Sequence, residues 1–324
     1  ACLIALLAPL LLGACVNMPA ALDPHGSNAQ QTARIAWVLF WGGGLIFAFV
    51  IALAAFALFA APAHRAWLGR QNFVVGAGIV FPIVTLSALL FYAFKVSGEL
   101  AGTQDAVPLK IEIVGQMWWW RVRYVDAGGT SVLVTANEVH IPVGRTVEFS
   151  LESADVLHSF WVPNLAGKLD LIPGRVNVLR LTAGKPGVFR GQCAEYCGAQ
   201  HAKMAFHVVA HAVPEFDAWL VAQQLPAAAP RTPALERGMA LFVARCGVCH
   251  TARGTPAAGQ LGPDLTHVGS RLALAAGTLP NNAGTIAGWI AASQHIKPEN
   301  RMPSFDRFTG EELRALAAYV ESLQ

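Results

Sequence analysis

Two apolar runs, Ile35 to Ala63 and Phe73 to Val96, restrict this chain more than any other feature. Apart from Lys95, charge appears only beyond their ends, at Arg34, His64 and Arg65. Each run exceeds the roughly 20 residues a helix needs to cross a hydrocarbon core, which predicts a two-helix transmembrane hairpin over residues 35–98. Composition agrees: 54% of the 324 residues are hydrophobic and 13% charged, too apolar for a wholly soluble chain. A buried soluble hairpin is the other reading. Gly42-Gly43-Gly44 and Pro82 oppose it, being costly in a soluble helix and tolerated in a membrane one. The loop from His64 to Arg70 carries more basic charge than either outer flank, which assigns it to the cytoplasm and the rest of the chain to the outer side. The formal charge of +3 is spread along the chain, which excludes the concentrated basic field of a nucleic-acid-binding protein.

Residues 1–15 read as a signal peptide: an apolar stretch that ends in Leu12-Gly13-Ala14-Cys15, with small residues before the cut. The ending resembles a bacterial lipoprotein signal, in which Cys15 becomes the lipid-bearing first residue. An ordinary signal peptide with a chance cysteine is the alternative. The chain opens without Met or a basic leader, which points to residues preceding Ala1. Residues 16–34 are expected to form an external lead segment.

Beyond the hairpin the texture changes to short alternating runs, such as Leu109-Lys-Ile-Glu-Ile-Val, Thr146-Val-Glu-Phe-Ser-Leu and Val176-Asn-Val-Leu-Arg-Leu, punctuated by Gly- and Pro-containing turns. Period-two runs at this spacing predict an all-β sandwich or small barrel over residues 99–222. A short amphipathic helix from Pro214 closes it, and the Ala/Pro/Gln-rich residues 223–233 read as a linker to a last domain, 234–324.

Within the β-domain, residues 191–204 carry Cys193, Cys197, His201 and Met204. Two soft thiolates, an imidazole and a thioether suit copper best. Structural zinc sites space their cysteines and histidines differently and need no methionine. A disulfide between the two cysteines is the plain alternative in an exported chain. A second imidazole is needed, and His158 in Asp155-Val-Leu-His-Ser-Phe, at a strand end, is the best candidate. Two bridging thiolates could then hold a copper pair, with one imidazole on each ion, and Met204 and a backbone carbonyl, with that of Glu195 the candidate, as weak ligands. His140, His207 and His211 are read as surface or strand histidines.

The last domain contains Cys246-Gly-Val-Cys249-His250, the c-type haem attachment pattern, in which two thioethers hold the porphyrin and the adjacent imidazole binds iron. Thr232 and Pro233 are expected to start one helix. Thr309 and Glu312 form the capping box of another, with Leu313, Leu316, Ala317 and Val320 on one face. Met302 is the one methionine between His250 and the C-terminus, so counting nominates it as the sixth iron ligand, with His267 and His295 as alternatives.

These segments resemble a known family. Asp155-Val-Leu-His158-Ser-Phe, the Ile172-Pro-Gly-Arg175 turn and Cys193-x-Glu195-x-Cys197-x-x-x-His201-x-x-Met204 resemble subunit 2 of the haem-copper cytochrome c oxidases, and the end helices around one haem motif resemble a small class I cytochrome c. The resemblance implies a multidomain membrane protein: a transmembrane hairpin, a cupredoxin-like barrel and an all-α cytochrome c domain, as in a caa-type oxidase. It implies a binuclear copper centre, CuA, held by His158, Cys193, the Glu195 carbonyl, Cys197, His201 and Met204. It further implies a magnesium ion bound by the Glu195 carboxylate at the junction with subunit 1, electron entry at Trp118 within Gln116-Met-Trp-Trp-Trp120, and Pro263 packed near the His250 ring. Met302-Pro303 resembles the axial-ligand loop of the cytochromes. The implied function is electron transfer from cytochrome c or an upstream respiratory complex, through haem c and CuA, to an oxygen-reducing subunit 1. Subunit 3 is an expected further partner, in a bacterial cytoplasmic membrane with the metal domains outside. Service to a nitric oxide reductase, or as a free membrane-tethered electron carrier, are the competing functions.

Overall fold

A computed structural model of the chain describes residues 20–101 and 109–324, so residues 1–15, expected to be a signal peptide, and Cys15 with them lie outside the described residues. Helix α1 (Ser27–Phe59) and a second helical span, α2 (Gln71–Gly98), are each long and apolar enough to cross a membrane, with mean hydropathy 2.4. Most of their large side chains are exposed, Leu45, Phe47, Phe91 and Phe94 among them, as expected of helices whose solvent is lipid rather than a protein core. Within α2 a π-type stretch, Gly76–Val80, precedes Pro82. Proline donates no hydrogen bond and crowds the preceding turn, so the ladder widens ahead of it. Helix α1 begins at Ser27, before the charge-free run starts, and the lead residues ahead of it pair with the β-domain. The His25 N–H donates to Asn164 O at 2.7 Å, and its carbonyl accepts from the Gly184 N–H at 2.7 Å.

The β-domain is two five-stranded sheets. One has the order β3 (Ser131–Ala136), β2 (Trp119–Val125), β1 (Leu109–Gln116), β5 (Val147–Ser153), β8 (Asn177–Leu181). The other runs β4 (Glu138–Pro142), β10 (Ala205–His211), β9 (Gly187–Cys193), β6 (His158–Trp161), β7 (Leu169–Leu171). β1 runs parallel to β5 and β4 parallel to β10, with antiparallel pairs elsewhere, the mixed two-sheet topology of a cupredoxin-like barrel. Alternation places Ile111 and Ile113 of β1, Trp120, Val122 and Tyr124 of β2, and Phe149 and Leu151 of β5 in one core with Phe160 and Phe206. Helix α3 (Val213–Gln224) closes the domain and lays Trp219 flat on His140, centroids 3.9 Å apart.

The C-terminal domain is helical. α4 (Pro233–Arg245) is capped by Thr232, whose side chain accepts the Leu235 N–H at 3.3 Å. α6 (Gly310–Ser322) starts with the expected Thr309–Glu312 capping box. Between them lie α5 (Ala283–Ile296) and a short ribbon of β11 (Ala273–Leu274) and β12 (Leu279–Pro280). α4 crosses α6 closely at Gly238, where a Cβ would sit 2.2 Å from Ala315 O. The buried face of α6 includes Leu316, Ala317 and Val320 as read from the sequence, and adds Ala315 and Tyr319.

Candidate metal centre

Strand β9 ends at Cys193 and β10 starts at Ala205, so the intervening loop carries the soft-ligand set at one end of two interior strands. The ladder continues into it, the Cys193 N–H donating to Met204 O at 2.9 Å, which brings the two ends of the ligand run together. Pairing of β6 with β9 places Phe160 opposite Cys193 and so carries His158 beside the loop. Cys193 Sγ lies 3.8 Å from Cys197 Sγ, 3.9 Å from His158 Nδ1 and 3.1 Å from Glu195 O. Cys197 Sγ lies 3.6 Å from His201 Nδ1 and 3.8 Å from Met204 Sδ. The ligating atoms of His158, Cys193 and Cys197 all fall within 4.8 Å of one another, and all three residues are buried. Both thiols are free.

The electrostatics suit a cation. The Cys197 thiol stabilises a thiolate at Cys193 and lowers its pKa against the opposing effect of burial, while the same interaction pushes the Cys197 thiol up. Two thiolates at this spacing repel unless a metal lies between them, and metal ligation requires both deprotonated. Burial disfavours protonation of His158, yet Cys193 and Asp155 outweigh it and raise its pKa. His158 Nε2 meets Asp155 Oδ1 at 2.9 Å, which leaves Nδ1 for the sulfur side. A carboxylate on the outer nitrogen is the usual device for orienting a metal-bound imidazole. Asp155 also accepts the Met117 N–H at 2.8 Å and the Val156 N–H at 2.8 Å. Burial alone would raise its pKa, and these bonds bring it below the ordinary value. The orienting role of Asp155 was not read from the sequence, although its position three residues before His158 was the available signal. Gly115 is needed at this point: a Cβ there would come 2.9 Å from His158 Cδ2.

The three adjacent tryptophans separate. Trp118 sits in the β1–β2 turn, 6% exposed, and donates its indole N–H to Cys197 O at 2.8 Å. Trp119 lies under the Arg121 guanidinium at 5.3 Å. Trp120 is a core residue edge-on to Phe206, Phe160 and His158. Glu195 turns its carboxylate outward, 3.6 Å from Lys168 Nζ. His140 belongs to a buried chain, with Glu138 Oε1 at 2.9 Å on Nε2 and His211 Nε2 at 2.7 Å on Nδ1.

In the helical domain the Cys246-Gly-Val-Cys249-His250 segment forms one turn after α4, His250 N–H donating to Cys246 O at 2.9 Å. His250 Nδ1 donates to Pro263 O at 2.8 Å, which frees Nε2 to ligate. Burial lowers the His250 pKa, which favours the neutral ring that iron ligation requires. Pro263 therefore fixes the ring through its carbonyl, and Gly262 lets that loop approach, since a Cβ there would come 2.6 Å from His250 Cε1. Met302 and Cys246 flank the same buried core, and the Met302 carbonyl is held by Ser293 Oγ at 2.9 Å and Gln294 Nε2 at 2.7 Å. His267 Nε2 is committed to the linker carbonyl of Leu225 at 3.0 Å, and His295 is exposed on α5.

The two domains share polar contacts. Lys297 Nζ, whose residue is 3% exposed, reaches Trp118 O and Lys203 O at 2.7 Å each and Ala275 O at 3.1 Å. Burial pushes its pKa down to about 7, the Lys203 charge acting in the same direction. Three convergent acceptors match the three donors of an ammonium, one more than a neutral amine offers. Arg271 Nη2 donates to Thr135 Oγ1 at 3.2 Å, and Glu138 Oε2 accepts the Leu272 N–H at 2.8 Å.

Comparison with known proteins agrees with this construction. The family model described as cytochrome c oxidase subunit II, periplasmic domain, matches residues 123–213, and that described as cytochrome c matches residues 235–324. Cytochrome c oxidase subunit 2 of Alkalihalophilus pseudofirmus is 36% identical over 247 residues, covering 76% of this chain and 69% of that protein. Its counterpart in Bacillus sp. (strain PS3) is 30% identical over 263 residues, covering 76% and 72%. The crystal structure of the periplasmic domain of subunit II of cytochrome oxidase (CoxB) of Bradyrhizobium japonicum aligns over 38% of this chain and 97% of its own, with 30% identity and a TM-score of 0.35. The soft-ligand loop, the haem-attachment turn, the two family-model matches in a single polypeptide and the likeness to the Alkalihalophilus and Bacillus proteins lead to one conclusion: the chain belongs to the cytochrome c oxidase subunit 2 family and carries a fused C-terminal cytochrome c domain, an arrangement that fits the caa type.

Proposed function

We propose that this chain is the electron-entry subunit of a caa-type cytochrome c oxidase, taking single electrons from cytochrome c or an upstream respiratory complex and delivering them to subunit 1. The observation that carries this reading is the donor set of the β9–β10 loop: two buried sulfurs 3.8 Å apart, with an imidazole Nδ1 beside each. His158, Cys193, Cys197, His201, Met204 and the Glu195 carbonyl would hold a copper pair, and Cys246, Cys249, His250 and Met302 would hold haem c. When bound, these groups supply one-electron couples. The protein's contribution is to bury the ligands, orient His158 through Asp155 and His250 through Pro263, and favour the thiolate at Cys193, the Cys197 proton leaving as metal binds. The commitment of His267 to the linker and the exposure of His295 support Met302 as the sixth ligand, and His/Met ligation raises a haem potential. Trp118, bonded to the carbonyl of one proposed ligand, is the residue through which electrons enter the copper site.

Oxygen reduction and proton translocation belong to partner subunits, with subunit 3 a further member. The chain sits in the bacterial cytoplasmic membrane with both metal domains outside, and the Glu195 carboxylate would bind a magnesium ion at the subunit 1 junction. The test is an optical and EPR spectrum of the detergent-extracted chain. A low-spin haem c together with a mixed-valence copper signal, and copurification with a subunit carrying further haems, are expected. A chain without that copper signal, or one that purifies without such a subunit, would defeat the reading.

A further inference from the structure

The helical domain grips the backbone on both sides of Met204. Lys203 O accepts from Lys297 Nζ at 2.7 Å, and the Ala205 N–H, where β10 begins, donates to Ala276 O at 3.0 Å. Lys203 in turn donates its own ammonium to Ile296 O. The same Lys297 ammonium holds Trp118 O, and Trp118 holds Cys197 O. One buried side chain of the helical domain is thus joined to the segment that supplies Met204 and, through Trp118, to the segment that supplies Cys197.

The receiving surface is built at a conformational cost. Ala275, Ala276 and Gly277 are successive residues in left-handed conformation, at φ 51°, 58° and 74°, which alanine adopts only where surrounding structure imposes it. That conformation turns the Ala275 carbonyl to Lys297 and the Ala276 carbonyl to Ala205. Gly277 packs so tightly that a Cβ would come 3.0 Å from the Ala205 Cβ. A buried ammonium is tolerated only when its donors are matched, and here three carbonyls from two domains match them.

We infer that Lys297 is a positioning residue that latches the cytochrome domain onto the metal-ligand loop, fixing both the Met204 strand start and the Trp118 turn against the haem-bearing domain. This rests on the copper reading proposed above. The latch makes the domain arrangement specific, because the carbonyls of Trp118 and Lys203 lose their donor when the domain departs. It sets the haem-to-copper path in one geometry and braces the weak thioether ligand, on which the potential of such sites depends.

The test uses the full chain in its detergent-extracted complex, with Lys297→Met, which keeps the length and removes the donors, and Gly277→Ala, which leaves Lys297 intact and wedges the contact from the other side. Amide hydrogen exchange at Ala205 is followed with and without copper. Both variants are expected to speed it at least about tenfold, the factor that corresponds to about 1.4 kcal/mol of docking free energy. The haem c spectrum should stay unchanged, while the copper EPR hyperfine pattern shifts and flash-induced electron transfer from haem to copper slows. Lys297→Arg, whose planar fork does not match three convergent carbonyls, should not rescue. Parental exchange at Ala205 and a parental transfer rate in Lys297→Met would overturn the latch. Absence of a mixed-valence copper signal from the unsubstituted chain would instead overturn the copper reading on which it rests.

Discussion

Replacing Asp155 by Asn separates the orientation of His158 from its presence. The carboxylate accepts on both oxygens: Oδ1 takes His158 Nε2 at 2.9 Å and the Val156 N–H at 2.8 Å, and Oδ2 takes the Met117 N–H at 2.8 Å. An amide accepts on one side only, so either the imidazole or the Met117 N–H faces an NH2 group. If the imidazole loses its partner, copper affinity should fall about 10–100-fold, as for other orienting partners of metal-bound histidine, which is about 1.4–2.7 kcal/mol. If the Met117 N–H is orphaned, the β-domain loses about 1–3 kcal/mol of stability. The ion pair of Asp155 with Arg301 at 3.8 Å contributes little to either, because Arg301 is 71% exposed and such pairs are worth on the order of a few tenths of a kcal/mol. Copper competition against a chelator and thermal unfolding of the copper-free chain measure the two branches. An affinity within about twofold of the parent together with an unchanged unfolding midpoint would show that Asp155 neither orients His158 nor supports the β1–β2 turn.

Gly115→Ala should push the His158 ring away from the sulfurs, changing the copper EPR pattern and costing about 1–3 kcal/mol of stability by overpacking, read by EPR and thermal melts. Met302→Leu should leave the haem covalently attached yet lower its potential and alter its reduced optical spectrum, and an unchanged spectrum would assign the sixth ligand elsewhere. Acid should loosen the seam between the domains at Glu138, which lies among His140, His207 and Arg271. Burial raises its pKa, but His140 and the Leu272 N–H outweigh this and hold the folded value below the ordinary one. Its contribution is therefore fully present above the unfolded glutamate pKa of about 4.3 and is lost as pH falls through the lower folded value. Glu138→Gln should flatten that acid limb of the melting curve, a change that exchange at the Leu272 amide reports.

The architecture of this chain could be read without coordinates because each part rests on local chemistry. A charge-free run longer than a bilayer is wide has few fates other than spanning one, and α1 and α2 follow it. Period-two alternation follows from strand geometry, and the alternate apolar positions of two such runs, Ile111 and Ile113 and Phe149 and Leu151, lie in the core. Cys246, Cys249 and His250 act within one turn, so their spacing is already their geometry. The tryptophan triplet shows the limit. Identical residues in a row have no local feature that assigns one to the indole–carbonyl bond with Cys197, one to the core and one to Arg121. That division follows from the β1–β2 turn and from which face of β2 meets the second sheet. His140, read only as a surface or strand histidine, proves to be a buried strand residue in a chain with Glu138 and His211, because parallel pairing of β4 with β10 brings their positions side by side.

The soft donors Cys193, Cys197, His201 and Met204 were thus candidates from the sequence alone, since such residues at short spacing can serve few other ends and the chain between them is too short to carry them apart. Their second partners were decided by the tertiary structure. Asp155 and Gly115 reach His158 because β6 pairs with β9 and the β1–β2 turn folds over it. Lys297 meets Trp118 and Lys203, 179 and 94 residues away, only because the cytochrome domain docks. A lysine is solvated wherever the local sequence leaves it, and it becomes a latch only when the β-domain and the cytochrome domain present three carbonyls to the same nitrogen.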